Sequence, residues 1–86
     1  MPFGGTRATV REDQRQRILR ATGELVGERG YHAVTVELIV KHARVSFKTF
    51  YSHFANKEEC FVELFETVMA EARERMEAAV VRERES

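Results

Sequence analysis

The strongest constraint on this chain lies between Thr35 and Phe54, where two short amphipathic runs are separated by only three residues. In the first run Val36, Ile39, Val40 and Ala43 fall on one helical face. Thr35 is placed to cap that helix, and Glu37 in its first turn complements the helix dipole. Arg44, Val45 and Ser46 leave room only for a tight turn. Ser46 can cap a third helix starting at Phe47 and ending near His53 or Phe54. Apolar side chains at Ile39, Ala43, Val45 and Phe50 have the spacing of a helix-turn-helix, in which they lock two short helices at a steep angle. The outer face of the third helix, with Phe47, Lys48, Thr49, Tyr51, Ser52 and His53, would then be presented to a groove wide enough for one helix.

The flanking sequence supplies two longer helices. Thr9 followed by Glu12 reads as a capping box, and Ile18, Leu19, Ala21, Leu25 and Val26 recur at helical spacing, which predicts a first helix over about Val10 to Arg29. Gly30 stands where a left-handed C-cap is expected, with Tyr31 folding back onto the helix it closes. Asn56 can cap a fourth helix whose first turn carries Glu58 and Glu59. Its apolar stripe, Phe61, Leu64, Phe65, Val68, Ala72, Met76 and Val80, implies a length of roughly 40 Å at the usual rise per residue. Three small helices cannot cover that length. From about Ala72 onward the stripe must pack on a further domain or a second copy, or else fray. The expected fold is all-α: a three-helix, homeodomain-like helix-turn-helix unit over 9–56, a flexible arm over 1–8, and a long connecting helix over 57–86.

At 86 residues the chain suits one small domain. Its formal net charge of zero hides an asymmetry: residues 1–57 hold ten basic and five acidic side chains, net +5, and residues 58–86 hold four and nine, net −5. A basic half attracts polyanions, while the acidic half must point away from phosphate. The first residues lack the charged and apolar regions of a signal peptide, no apolar run approaches the roughly 20 residues of a membrane span, and Cys60 is alone. A soluble, cytoplasmic protein is expected. His32, His42, His53 and Cys60 have no zinc-motif spacing, and a Cys60–His53 nucleophilic pair lacks an oxyanion loop. Neither metal, cofactor nor enzymatic activity is implied, and Cys60 reads as a small core residue.

Val45-Ser46, Thr49-Phe50-Tyr51, His53-Phe54 and Lys57-Glu58-Glu59 resemble the N-terminal signature of TetR-type transcriptional regulators. Ile18-Leu19, Gly30-Tyr31, Thr35-Val36, Ile39 and Ala43 extend the resemblance over about residues 11–66. It implies a repressor or activator, here expected to be a repressor, that binds a palindromic double-stranded DNA operator as a homodimer. It also implies a C-terminal helical domain, not present in this sequence, that dimerises and binds a small-molecule effector. Carried over by position, it puts Thr35 and Val36 at the groove edge, Tyr51 and Lys57 on phosphates, and Phe47, Lys48, Thr49 and Ser52 nearest the bases, with Ser46 and His53 beside them.

Three positions depart from the family pattern. Arg44 replaces a glycine expected in a left-handed turn, where a side chain costs roughly 1 kcal/mol, and its guanidinium could reach a phosphate. Val40 replaces alanine and could open the angle between the short helices. Lys48 replaces a small residue and adds a charge for a phosphate or a guanine edge.

Several residues have plainer readings. Tyr51 could be a core aromatic, although Phe50 and Phe54 already take the inward places. Lys57 could be a solvated lysine. Phe47 either touches a thymine methyl or covers the turn, and Arg7 and Arg11 either meet DNA or merely solubilise the chain. The rival to DNA binding is a helical protein-interaction module using the Phe61–Val80 stripe.

Overall fold

A computed structural model describes residues 7–85, with side chains from Thr9 onward. Four α-helices and one 3-10 turn occur among the described residues, and no strand does: α1 Arg7–Arg29, the 3-10 turn Tyr31–Ala33, α2 Val36–Ala43, α3 Phe47–His53 and α4 Lys57–Glu85. None of these helices is long and apolar enough to cross a membrane.

The helix-turn-helix pair forms where the pattern puts it. Thr35 Oγ1 accepts from the Leu38 N–H at 3.2 Å and caps α2, and Ser46 Oγ accepts from the Thr49 N–H at 3.0 Å and caps α3. Each satisfies an amide that a helix start leaves without an intrahelical partner. Asn56 Oδ1 does the same for Glu59 at 2.8 Å ahead of α4.

Two boundaries differ from expectation. α1 begins at Arg7, so Thr9 lies inside the helix and not at its cap, and the carboxylate of Glu12 accepts from Gln16 Nε2 at 2.8 Å. Arg7 and Ala8 favour helix and nothing breaks the turn before Thr9, so propagation overrides the capping signal. Those two residues therefore leave the expected arm, the rest of which, residues 1–6, lies outside the described residues. Gly30 has the positive φ expected of it, 84°, but a ψ of 155°, not that of a left-handed helix. That region is open essentially to glycine alone, and it sends the chain directly into the 3-10 turn.

Ile18, Leu19, Ala21 and Leu25 of α1 meet Ile39, Val40 and Ala43 of α2, with Phe50, Phe54, Val34 and Cys60 completing the core. Val45, Val36 and Leu64 pack half-buried against it. Thr22, the one buried polar side chain among the described residues, donates to the Ile18 carbonyl at 2.8 Å and lies 3.3 Å from Cys60 Sγ, so its burial leaves no unmet donor. α4 is fastened to the unit over its first two turns. Phe61 lies 4.6 Å from the Tyr31 ring, Leu64 beside Gly23, and Glu63 forms an ion pair with Arg15. Beyond Leu64 the helix leaves the core, and Phe65 is already 57 % exposed, with Val68, Met76 and Val80 also exposed. The stripe thus loses its cover nearly two turns before Ala72, because α1 crosses α4 only near its start.

Candidate nucleic-acid interface

The aim of α3 is set by Phe50, which is 0 % exposed and packs against Phe54 with ring centroids 5.6 Å apart. With Phe50 inward, helical geometry turns Phe47, Lys48, Tyr51 and Ser52 outward along one arc. Phe47 and Tyr51 are 50 % and 52 % exposed, and Lys48 and Ser52 are exposed with them. Tyr51 touches Phe50 edge-on at 5.2 Å while keeping half its surface free, which decides against its reading as a core aromatic. A large apolar side chain, a cation, a phenol and a hydroxyl on one helix face can together meet a thymine methyl, base edges and phosphates.

Other expected residues frame this arc. Thr35 is exposed at the start of α2 with Val36 half-buried behind it, and the exposed Arg44 and Ser46 occupy the turn. Thr49 is half-buried; its hydroxyl accepts from Ser46 Oγ at 3.1 Å, and its carbonyl accepts from the Ser52 hydroxyl at 2.7 Å. The Ser46, Thr49 and Ser52 hydroxyls are thus already tied to the frame of α3.

Two residues sit differently from expectation. His53 does not face outward: it is half-buried against α1, with Nε2 3.5 Å from Gln14 Oε1. Burial, with the nearby Arg11 and Arg15 guanidiniums, pushes its pKa below the ordinary histidine value against a smaller opposing pull from Glu12. Lys57 is half-buried, with Nζ donating to the Val34 carbonyl at 2.9 Å and the Tyr31 carbonyl at 3.3 Å while lying 4.3 Å from the Tyr31 ring centroid. It is therefore no free solvated lysine. Two of its three N–H donors serve the backbone, leaving one for a phosphate.

Arg44 adopts φ 61° and ψ 47°, the left-handed conformation its position demands. Its own N–H bonds back to the Lys41 and Val40 carbonyls, and the Val45 N–H bonds to the Val40 carbonyl at 3.1 Å. The bracing roles of two α1 arginines carry no signal in the sequence pattern. Arg17 Nη2 donates to the Ala43 and Arg44 carbonyls at 2.8 and 3.0 Å, and Arg11 Nη2 donates to the Ser52 carbonyl at 3.3 Å. Arg17 flanks the buried α1 stripe and Arg11 falls in line with it two turns before Ile18, and neither position distinguishes a bracing arginine from a solvated one.

Two capped short helices, a left-handed turn and an exposed polar arc backed by a buried phenylalanine define a helix-turn-helix DNA-binding domain. Residues 18–64 match the family model for bacterial regulatory proteins of the tetR family, and the chain belongs to that family. It is 37 % identical over 68 residues to an uncharacterised HTH-type transcriptional regulator, YhgD of Bacillus subtilis, covering 79 % of this chain and 36 % of the relative. It is 42 % identical over 60 residues to a fatty acid metabolism regulator protein of the same species, covering 70 % and 31 %. The HTH-type transcriptional activator FasR of Mycolicibacterium smegmatis is 36 % identical over 64 residues, covering 71 % and 29 %. The chain thus spans about a third of the length of these relatives. No solved structure matched it.

Proposed function

We propose that this chain is the operator-binding part of a cytoplasmic repressor that grips a palindromic DNA site as a homodimer, with α3 in the major groove of each half-site. The observation that carries this reading is the exposed arc of Phe47, Lys48, Tyr51 and Ser52 on a helix anchored by the buried Phe50. Lys48 and Phe47 read bases, Ser52 assists them, and Tyr51 holds a phosphate. Thr35 and Val36 lie at the groove edge, and Arg44, Ser46 and the remaining N–H of Lys57 complete the backbone contacts, with Thr49 and His53 supporting α3 from its flank.

A palindromic site follows from two-fold pairing, which holds the two recognition helices at a fixed half-site spacing. A small-molecule effector, bound by a helical domain of the kind the family resemblance implies, modulates this grip. The relatives' names include a regulator of fatty acid metabolism and an activator, so the sign of regulation is read from a promoter–reporter pair and not from the helix-turn-helix itself. No catalytic step is part of this function.

Duplexes selected from random sequence by this chain test the proposal. Lys48→Ala should change which duplexes are selected, whereas Tyr51→Ala should weaken all of them by roughly tenfold at unchanged preference. Binding that is untouched by both substitutions at physiological salt refutes the assignment. The exposed Phe65, Val68, Met76 and Val80 favour a second reading, a helical protein-interaction module. A steep fall of DNA affinity with salt, together with preference for one duplex over random sequence, excludes it.

A further inference from the structure

We propose that Arg17 is a positioning residue for DNA binding: from α1 it holds the turn that aims the recognition helix. Ala43 ends α2, so its carbonyl has no partner within the helix, and the Arg44 carbonyl is the next group out. Arg17 Nη2 reaches both, at 2.8 and 3.0 Å, and its Nη1 lies 4.0 Å from Asp13 Oδ2 on the preceding turn of α1. A guanidinium on the carbonyl end of a helix is also placed favourably for the dipole.

The clamp matters because of what it holds. Arg44 is the only non-glycine residue with positive φ among the described residues, and glycine would take that conformation without steric conflict. Only Val45 and Ser46 separate Arg44 from α3, so a change of φ and ψ at Arg44 swings the whole recognition helix. Arg17 therefore opposes the relaxation that the Arg44 side chain favours. Arg11 holds the far end of α3 through the Ser52 carbonyl, so two arginines of α1 brace the unit at its entrance and its exit.

The dependence on Arg44 makes the proposal testable by a double-mutant cycle. Arg17→Ala should speed amide exchange at Arg44 and Val45 roughly tenfold relative to Ile39, a readout that needs no DNA. On a duplex selected by the unmutated chain it should lower affinity by roughly five- to tenfold, with the slope of affinity against salt unchanged. In an Arg44→Gly background, where the left-handed turn is relaxed, the same substitution should cost less than about twofold. Arg17→Lys keeps the charge but presents no planar fork, and should fall between. Unchanged exchange at Arg44 and Val45, an equal loss in both backgrounds, or full rescue by lysine overturns the proposal. A salt slope reduced by about one assigns Arg17 to a phosphate instead and overturns it equally.

Discussion

Lys57 donates from Nζ to the Val34 carbonyl at 2.9 Å, so the first residue of α4 is tied to the residue that precedes the Thr35 cap of α2. The same ammonium lies over the Tyr31 ring and bonds the Tyr31 carbonyl, closing the two ends of the 3-10 segment around one cation. A lysine expected at the DNA backbone is thereby also a brace for the entry to α2.

Lys57→Met keeps the aliphatic stem and removes the donors. It should lower stability by about 1–2 kcal/mol, the scale of two carbonyl bonds and a cation–π contact in a half-buried setting. Urea denaturation measures this, and a midpoint equal to the parent's would confine Lys57 to phosphate.

His53 links α3 to α1, and its pKa is lowered chiefly by burial and secondarily by Arg11 and Arg15. A histidine depressed in the folded state supplies stability that is complete above the unfolded value of about 6.5 and is lost as pH falls below it. Stability should therefore decline as pH falls below about 6.5, and His53→Gln should flatten that decline. Parallel pH curves for parent and variant would contradict the sign.

Cys60 shows the opposite dependence. Burial pushes its thiol pKa up, and the Thr22 hydroxyl opposes this only in part. The unfolded thiol ionises first, so stability should be complete below about pH 8.5 and fall as pH rises above it. Cys60→Ala lowers the whole curve through a cavity but should remove this alkaline decline. Native Cys60 should also resist alkylating reagents until the domain opens; rapid labelling at pH 7.5 would show the site is not closed.

The parts of the molecule legible in sequence are those encoded by local pattern. Thr35 and Ser46 as caps, the bounds of α2 and α3 and the inward set of Ile39, Ala43, Val45, Phe50 and Phe54 each depend on neighbours within a turn or two, whereas the left-handed site at Arg44 came from the family resemblance. Contacts across long separations were not legible. Arg17 to Ala43, Arg11 to Ser52, Gln14 to His53 and Lys57 to Val34 depend on how α1 and α4 lie across the pair. An apolar period says which face is buried, not which distant carbonyl a long cation reaches. Of the residues expected to face outward, Phe47, Lys48, Tyr51 and Ser52 are exposed, whereas Thr49 and His53 are half-buried.

Gly23 marks the crossing of α1 and α4. A Cβ built there would lie 3.6 and 3.7 Å from the two methyl carbons of Leu64, an ordinary packing distance. Glycine inside a helix is less favourable than alanine by roughly 0.5–1 kcal/mol, and the added methyl would enlarge contact with Leu64 without displacing it. Gly23→Ala should accordingly raise the thermal midpoint by several degrees in a domain of this size. A larger residue has no such room: Gly23→Leu should push α4 away at Leu64 and lower stability by about 1–3 kcal/mol. Gly27 supplies the control, since nothing lies within 4 Å of its Cβ position. Gly27→Ala should gain from helix propensity alone, so a Gly23→Ala gain no larger than that of Gly27→Ala would mean that the added methyl contributes no packing against Leu64.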